Sequence, residues 1–194
     1  MNEVESLSAK AARGAGFGWG HAEDLGRAAR WLAQRGFDWA QALLGLLEQD
    51  DAHNQLRSVF EAADRATSAN AGDCWSVEGC SVVWLLPMLA SSIHGKSVSL
   101  VVRHGFGAVR LHPDGAASGS DAAFSLGSLD PQTIAIEARA ATGRIAHKIE
   151  VTARRAPIAS MMWHRLEAYA ARTYVPASVE SRATGAGGSR PDTD

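Results

Sequence analysis

Four side chains of this 194-residue chain have the chemistry of a small site for a carboxylate substrate. An arginine holds a carboxylate by paired N–H donors, and Arg172 and Arg182 are the candidates for this role. A histidine or a tyrosine near a loop edge moves protons, and His104 and Tyr174 are the candidates. We therefore expect His104, Tyr174 and Arg172 to be catalytic if the protein is an enzyme, with Arg182 among its ligand-binding residues.

A glycine at every second position from Gly14 to Gly20 marks the stretch 10–23, which reads KAARGAGFGWGHAE. Glycine loses about 0.5–1 kcal/mol more backbone entropy on folding than alanine. This spacing therefore indicates either left-handed backbone dihedrals or a close approach to the backbone. Trp19 stands within the glycines, where we expect its ring to be partly exposed and able to cover a ligand or a partner surface. The candidate ligand-binding residues here are Gly16, Gly18, Trp19 and Gly20.

The context of this loop does not favour phosphate binding. A dinucleotide-binding loop follows a strand, whereas residues 3–13 have helical spacing, and the Lys-Ser/Thr pair of a Walker loop is missing. We also expect Glu23 and Asp24 in the first turn of the next helix, where they would repel an anion. Tight packing between helices and contact with a non-phosphate ligand or partner remain as alternatives.

Metal and nucleophile motifs are weak. The seven histidines lack the HxH, HxxxH and HExxH spacings of metal sites, so we expect no metal, and no cofactor is specified. His104 and His112 form the best remaining pair, across a predicted hairpin. Cys74 and Cys80 lack CxxC spacing and are expected to be reduced thiols. Cys74 is the best nucleophile candidate, provided that the fold brings a histidine to it.

Composition excludes several classes of function. The net charge of -2 and the isoelectric point near 6.4 give no reason to bind nucleic acid. The first ten residues lack the pattern of a signal peptide. The longest apolar run, 82–90, is about half of the ~20 residues that a membrane span needs. We expect a cytoplasmic protein without a membrane or nucleic-acid partner, in which this run is core.

The periodicity of the apolar residues predicts the elements that position the candidates. Helices are expected at 3–13, 21–35, 39–47, 52–66, 87–94 and 158–172, with Pro87 in the first turn of the fifth. Two-residue alternation predicts half-buried strands at 98–103, 108–112, 133–139 and 145–153, paired as two hairpins. Around residues 73–75 we expect a loop or a short irregular strand, and 116–128 reads as a loop.

These elements predict a single α+β domain at 1–176. An N-terminal helical layer and a C-terminal helix pack on a small, mainly antiparallel sheet built between residues 97 and 153. The remainder, 177–194, is a polar tail rich in Gly and Ser, whose composition favours disorder while its density of donors and acceptors favours docking.

Both ends of the chain carry recognisable segments. The opening KAARGAGFGWGHAEDLGRAARWLAQRGF and the closing RTYVPASVESRATGAGG resemble an uncharacterised bacterial family filed as a domain of unknown function. The glycine loop and the segment 172–182 are the signatures of that family, which usually ends in a Gly/Ala run followed by acidic residues. The ending GAGGSRPDTD departs from this pattern. The resemblance implies no activity.

Two hypotheses of function follow. In the first, the protein is a non-catalytic binding or accessory subunit in small-molecule metabolism, and the two signatures contact a partner protein or a second copy. In the second, it is an enzyme acting on a small polar or carboxylate substrate in a pocket framed by the glycine loop and the C-terminal tail. The first explains the missing motifs more economically. Convergence of His104, Tyr174 and Arg172 with the glycine loop would favour the second.

Overall fold

The computed structural model describes residues 2–105, 107–119, 132–141 and 158–173, which form six helices and a five-stranded sheet. This confirms the α+β fold. The helices are α1 (Asn2–Gly14), α2 (Trp19–Gln34), α3 (Trp39–Leu47), α4 (Ala52–Thr67), α5 (Val82–Ser92) and α6 (Ser160–Ala171). The strands are β1 (Cys74–Cys80), β2 (Val98–His104), β3 (Gly107–Leu111), β4 (Ala117–Gly119) and β5 (Gln132–Ala140).

The sheet has the order β1-β5-β2-β3-β4, and every neighbouring pair is antiparallel. The predicted hairpin of β2 and β3 is confirmed, with Leu100 opposite Leu111. β5 confirms the strand predicted at 133–139, but its neighbours are β1 and β2. The partner that we predicted for it, 145–153, lies outside the described residues.

The central strand β2 differs from the half-buried strand that its alternation predicted. Ser99 and Val101 are buried, as are Leu100 and Val102 on the other face, so both faces of this part of the strand are covered. The hydroxyl of Ser99 lies 3.5 Å from the carbonyl oxygen of Arg139, to which it donates. A small hydroxyl that donates to a backbone carbonyl can be buried at little cost. The alternation of apolar and polar residues therefore wrongly predicted that the Ser99 face of β2 is exposed.

The apolar run 82–90 forms most of α5 and is buried at every position, which confirms that it is core. The helix was predicted to begin at Pro87, which was wrong, because it begins five residues earlier. Ser81 caps it by accepting a hydrogen bond from the N–H of Val83 at 3.3 Å. Pro87 cannot donate within the helix, and burial of the surrounding apolar side chains offsets that missing bond.

Other predicted elements differ less from the structure. α2 begins at Trp19, two residues before the predicted start. The second alternative for residues 73–75 is correct, because β1 is a strand whose register shifts between Val77 and Cys80. The loop predicted at 116–128 contains the short strand β4. Among the described residues, no helix has the length and the apolar character needed to cross a bilayer.

The helices form a layer in which α1 contacts α2 and α6, while α2 and α4 also contact α5. α6 packs against α1 and α3, and Arg165 of α6 donates a hydrogen bond to Glu48 at the end of α3. Close packing of α1 and α2 requires Gly26, where a Cβ would lie 2.7 Å from the carbonyl oxygen of Glu5. The helical layer thus contains the glycine turn and Arg172, which begins the second signature segment.

Candidate functional site

The glycine loop is a tight turn between α1 and α2, and its glycines have different roles. A Cβ at Gly14 would lie 1.8 Å from the carbonyl oxygen of Tyr169 in α6, so only glycine permits this contact. Gly16 has a φ of +100°, which disfavours other residues. Gly18 and Gly20 would meet nothing within 4 Å. Both predicted explanations, close approach and left-handed backbone, therefore apply, but at different positions.

A buried aromatic contact and two hydrogen bonds to the backbone fix the glycine turn. Phe17 is buried and its ring lies 4.3 Å from that of His53, centroid to centroid. The backbone N–H of Phe17 bonds to the carbonyl of Ala12 at 3.1 Å, and the Arg13 guanidinium donates to the Phe17 carbonyl at 2.6 Å. These contacts fix the path of the chain into α2.

Trp19 follows this turn on the surface. Its side chain is 71% exposed, which confirms the predicted exposure of the ring. The guanidinium carbon of Arg13 lies 4.3 Å from the ring centroid, within the range of a cation–π interaction. The indole therefore packs against the Arg13 guanidinium while solvent reaches most of it.

Arg172 is the C-cap of α6 and lies beside the glycine turn. Its guanidinium carbon is 4.4 Å from the centroid of the Tyr169 ring, and its Cβ would lie 3.4 Å from a Cβ built at Gly14. The glycine turn therefore meets Arg172, the first residue of the second signature segment, whose residues 174–182 lie outside the described residues. We name this surface, formed by Arg13, Gly14, Trp19, Tyr169 and Arg172, the α1–α6 junction. Beside it, α1 and α6 enclose a groove of about 570 Å³ lined by Leu7, Lys10, Trp163 and Glu167, among others.

The other predicted residues are placed differently. His104 is the last residue of β2 and pairs with Gly107, so it belongs to the sheet, whereas Arg172 belongs to the helical layer. Tyr174 and Arg182 lie outside the described residues. The part of the site that the structure describes is therefore the glycine turn with Arg172, and His104 is in another layer.

The suggested pairing of His104 with His112 does not occur. The register places Leu111, the neighbour of His112, opposite Leu100, while His104 is opposite Gly107 at the other end of the hairpin. His112 is buried, and its Nε2 lies 2.9 Å from the Ser118 hydroxyl. Within the described residues, no three His, Cys, Asp or Glu side chains form a group that could hold a metal ion.

The acidic residues after the glycine turn are further from the helix start than predicted. Because α2 begins at Trp19, Glu23 and Asp24 occupy its second turn, where Asp24 accepts a hydrogen bond from Arg27 at 2.5 Å. Their repulsion of an anion at the helix start is correspondingly weaker. The argument from the preceding element is unchanged, because the glycine turn follows the helix α1, whereas a dinucleotide-binding loop follows a strand.

A second concave site, which the sequence reasoning missed, lies between α2, α5 and the turn 113–115. We name it the α2–α5 cavity; its volume is about 530 Å³. The charged and polar residues that line it are Glu5, Asp24, Arg27, Arg30, Gln34, Arg35, Ser91, His94 and Asp114. Its apolar walls include Ala28, Trp31, Pro87, Met88, Ala90 and Ala116. His94, two residues after the end of α5, is thus part of this cavity.

Arg35 is the best-anchored cation of this cavity. Its terminal nitrogens donate to the carbonyl oxygens of Trp31 at 3.1 Å and Gly115 at 2.6 Å. Its guanidinium carbon lies 3.8 Å from the centroid of the Trp31 ring. Burial lowers the pKa of Arg35 to about 10, so the group is still charged at neutral pH.

The spacing in α2 contained a signal for this cavity. Arg27, Trp31 and Arg35 follow one another at four-residue intervals, which places them on one face of a helix. This spacing by itself does not show that the cationic face of α2 is covered, because such a face is equally typical of a solvated helix surface. Only the position of α5 and of the turn 113–115 makes that face concave.

Comparison with known proteins gives one similarity. A search of curated proteins found no match, and a search of solved structures found none either. Residues 1–74 match a family described as "Protein of unknown function (DUF3726)". The match spans α1 to α4 together with the glycine turn, and ends at the first residue of β1. The predicted resemblance to an uncharacterised family is therefore confirmed for the N-terminal helical part of the chain, which is similar to this family of unknown function.

Proposed function

We propose that the protein is a non-catalytic binding or accessory subunit acting in small-molecule metabolism in the cytoplasm, and that it contacts a partner protein through the α1–α6 junction. The observation that carries this proposal is Trp19, an indole that is 71% exposed and held under the Arg13 guanidinium. Burying such a ring in an interface contributes free energy, and its contact with Arg13 lowers the entropy cost of ordering it.

The composition of the junction supports a protein contact. Tryptophan, tyrosine and arginine are the residues that most often dominate binding energy in protein interfaces. The junction contains two cation–π pairs, Arg13 with Trp19 and Arg172 with Tyr169. The open space around Gly18 and Gly20 also allows a partner to approach the backbone closely.

The charge of the junction indicates the chemistry of the partner surface. Within the described part of the chain, neither Arg13 nor Arg172 forms an ion pair with a carboxylate. A partner that presents Asp or Glu side chains around an apolar pocket for the indole would complement both guanidinium groups. We therefore propose an acidic rim on the partner.

The enzyme alternative has less support. It needs His104, Arg172 and Tyr174 in one pocket, whereas His104 and Arg172 lie in different layers of the fold. The α2–α5 cavity and the groove between α1 and α6 contain neither of these two residues. The link to small-molecule metabolism is supported by the α2–α5 cavity, whose size suits a small ligand.

The test uses the full chain, tagged and expressed in its native host, followed by size-exclusion chromatography with light scattering and mass spectrometry. We expect wild-type protein to elute as a stoichiometric complex with a second protein, and Trp19→Ser to lose that partner. Met161→Ser is the matched control, because Met161 is also exposed (67%) but lies at the opposite end of α6 from Arg172. A monomeric wild-type protein, or a complex that survives Trp19→Ser, would contradict the proposal.

A further inference from the structure

We propose that the α2–α5 cavity binds a small organic monocarboxylate with an apolar body, and that Arg35 holds its carboxylate. This site is separate from the proposed partner surface, because Trp19 and Arg35 lie at opposite ends of α2. Sixteen residues of helix at 1.5 Å per residue separate them by about 24 Å. An experiment can therefore contradict the proposed ligand site without contradicting the proposed partner contact, and the reverse.

The first argument concerns unbalanced charge. Of the three arginines that line the cavity, Arg27 pairs with Asp24 at 2.5 Å and Arg30 pairs with Glu5 at 2.9 Å. Arg35 has no carboxylate partner among the residues that the structure describes, and its bonds go to neutral carbonyl groups. A partly buried cation without a counter-ion is costly, so an anion in the cavity would be stabilised.

The second argument concerns the remaining donors of Arg35. A guanidinium has five N–H groups, two of which donate to the Trp31 and Gly115 carbonyls. The Nε–H is buried and has no acceptor in the described structure. One N–H therefore remains on each terminal nitrogen. These two donors, one on each terminal nitrogen, can each bond to one oxygen of a carboxylate.

The third argument concerns the walls. The Trp31 ring is fixed by Arg35 on one side, and Pro87, Met88 and Ala90 of α5 supply an apolar surface. A cavity of about 530 Å³ is within the range of small-molecule sites. A ligand that binds both Arg35 and these apolar walls has a carboxylate at one end and an aliphatic or aromatic body at the other.

The acidic residues of the cavity argue against a phosphate. Glu5, Asp24 and Asp114 stand among the lining residues, and a dianion would be repelled by whichever of them it approached. Asp114 is already engaged, since its carboxylate accepts from the Ala116 N–H at 2.9 Å. A single negative charge placed at Arg35 is the better complement.

The experiment is an NMR titration of the 15N-labelled full chain with sodium benzoate, sodium hexanoate and inorganic phosphate. The reporter is the indole N–H of Trp31, assigned with Trp31→Phe, because this buried group has no acceptor in the described structure. We expect saturable shifts of the Trp31 signal with at least one carboxylate, while the signal of Trp19 stays in place. No saturable shift with either carboxylate, or tighter binding of phosphate than of both, would overturn the proposal.

Variants then assign the binding to Arg35. Arg35→Gln should weaken carboxylate binding by about tenfold or more, as expected for loss of charged hydrogen bonds. Arg27→Gln is the matched control and should change binding by less than about twofold, since Asp24 already neutralises Arg27 and the proposal gives it no part in binding. Equal affinities for these two variants would refute the role of Arg35.

A second variant covers the case in which Arg35→Gln does not fold. Ser91 lines the cavity from α5, is exposed, and makes no bond to Arg35. Ser91→Phe places a large side chain at the cavity while leaving the Arg35 hydrogen bonds intact, and it should abolish the Trp31 shift in a folded protein. A folded Ser91→Phe variant that binds carboxylate with wild-type affinity would place the ligand outside this cavity and overturn the proposal.

Discussion

Gly14→Ala tests the contact between the glycine turn and α6. The new Cβ would lie 1.8 Å from the carbonyl oxygen of Tyr169 and 2.7 Å from its carbonyl carbon. A carbon and a carbonyl oxygen normally stay about 3.3 Å apart or more. The end of α6 must therefore move by about 1.5 Å, because the clash involves backbone and cannot be relieved by a side-chain rotation.

The magnitude follows from two opposing effects. Overpacking of a well-packed contact costs about 1–3 kcal/mol, and a backbone clash this close should reach the upper end. The higher helix propensity of alanine offsets about 1 kcal/mol. The expected net loss is about 2 kcal/mol. This is no larger than the stabilisation that comes from burying Leu166, the fully buried leucine of α6. In a chain of this size it corresponds to a fall in melting temperature of about 4–8 °C.

The assay is thermal unfolding followed by far-ultraviolet circular dichroism, combined with hydrogen exchange of the α6 amides. Gly14→Ala should lower the melting temperature and make α6 exchange faster than α2. Gly20→Ala is the matched control, since a Cβ there meets nothing within 4 Å and the position is helical. It should leave stability unchanged or raise it by up to about 1 kcal/mol.

The result that would refute this reasoning is a Gly14→Ala variant as stable as Gly20→Ala, with unchanged exchange in α6. The glycine turn would then not be in contact with the end of α6. The α1–α6 junction would lose its structural basis, and the proposed partner surface would lose it too.

Two further predictions concern groups outside both sites. Cys74 should react with a thiol reagent in the native protein, while Cys80, which is fully buried and whose pKa burial raises to about 11, should react only after unfolding; equal labelling rates would contradict this. Hydrogen bonds from Arg139, and then from Arg103, lower the pKa of Glu137 below its ordinary value of 4.5. Because the pKa is lower in the folded state, the stabilisation is present above pH 4.5 and is lost as the pH falls through the folded value. Glu137→Gln should therefore flatten the fall of the urea midpoint below about pH 4.5, and parallel curves would show that the ion pairs contribute nothing.

The fold class was predictable because local periodicity shows which face of a segment is apolar. α3 appears where predicted, and Asp38 caps it, with the Asp38 carboxylate accepting from the Gln41 N–H at 3.0 Å. The β2–β3 hairpin was equally predictable, since its alternation and its turn are close in sequence. The start of α5 was not, because a run that is apolar on all sides has no period to mark its first turn.

The candidate site was only partly predictable. The glycine spacing showed that the turn at Gly14 has a special backbone requirement, and the exposure of Trp19 followed from its place there. That the requirement at Gly14 is a contact with Tyr169, far away in the sequence, was decided by the docking of α6. No pattern in the sequence linked His104 to Arg172, so their placement in one predicted catalytic site had no comparable physical basis.

The sequence by itself therefore determined the helices, most strands, the core run and the turn between α1 and α2, since each depends on interactions within a few neighbouring residues. Tertiary structure alone decided the order of the strands, the meeting of the glycine turn with α6, and the cavity at Arg35. The cationic face of α2 looks like an ordinary solvated helix face until α5 and the turn 113–115 cover it. Periodicity encodes which side of an element is buried, and it does not encode which distant element it will be buried against.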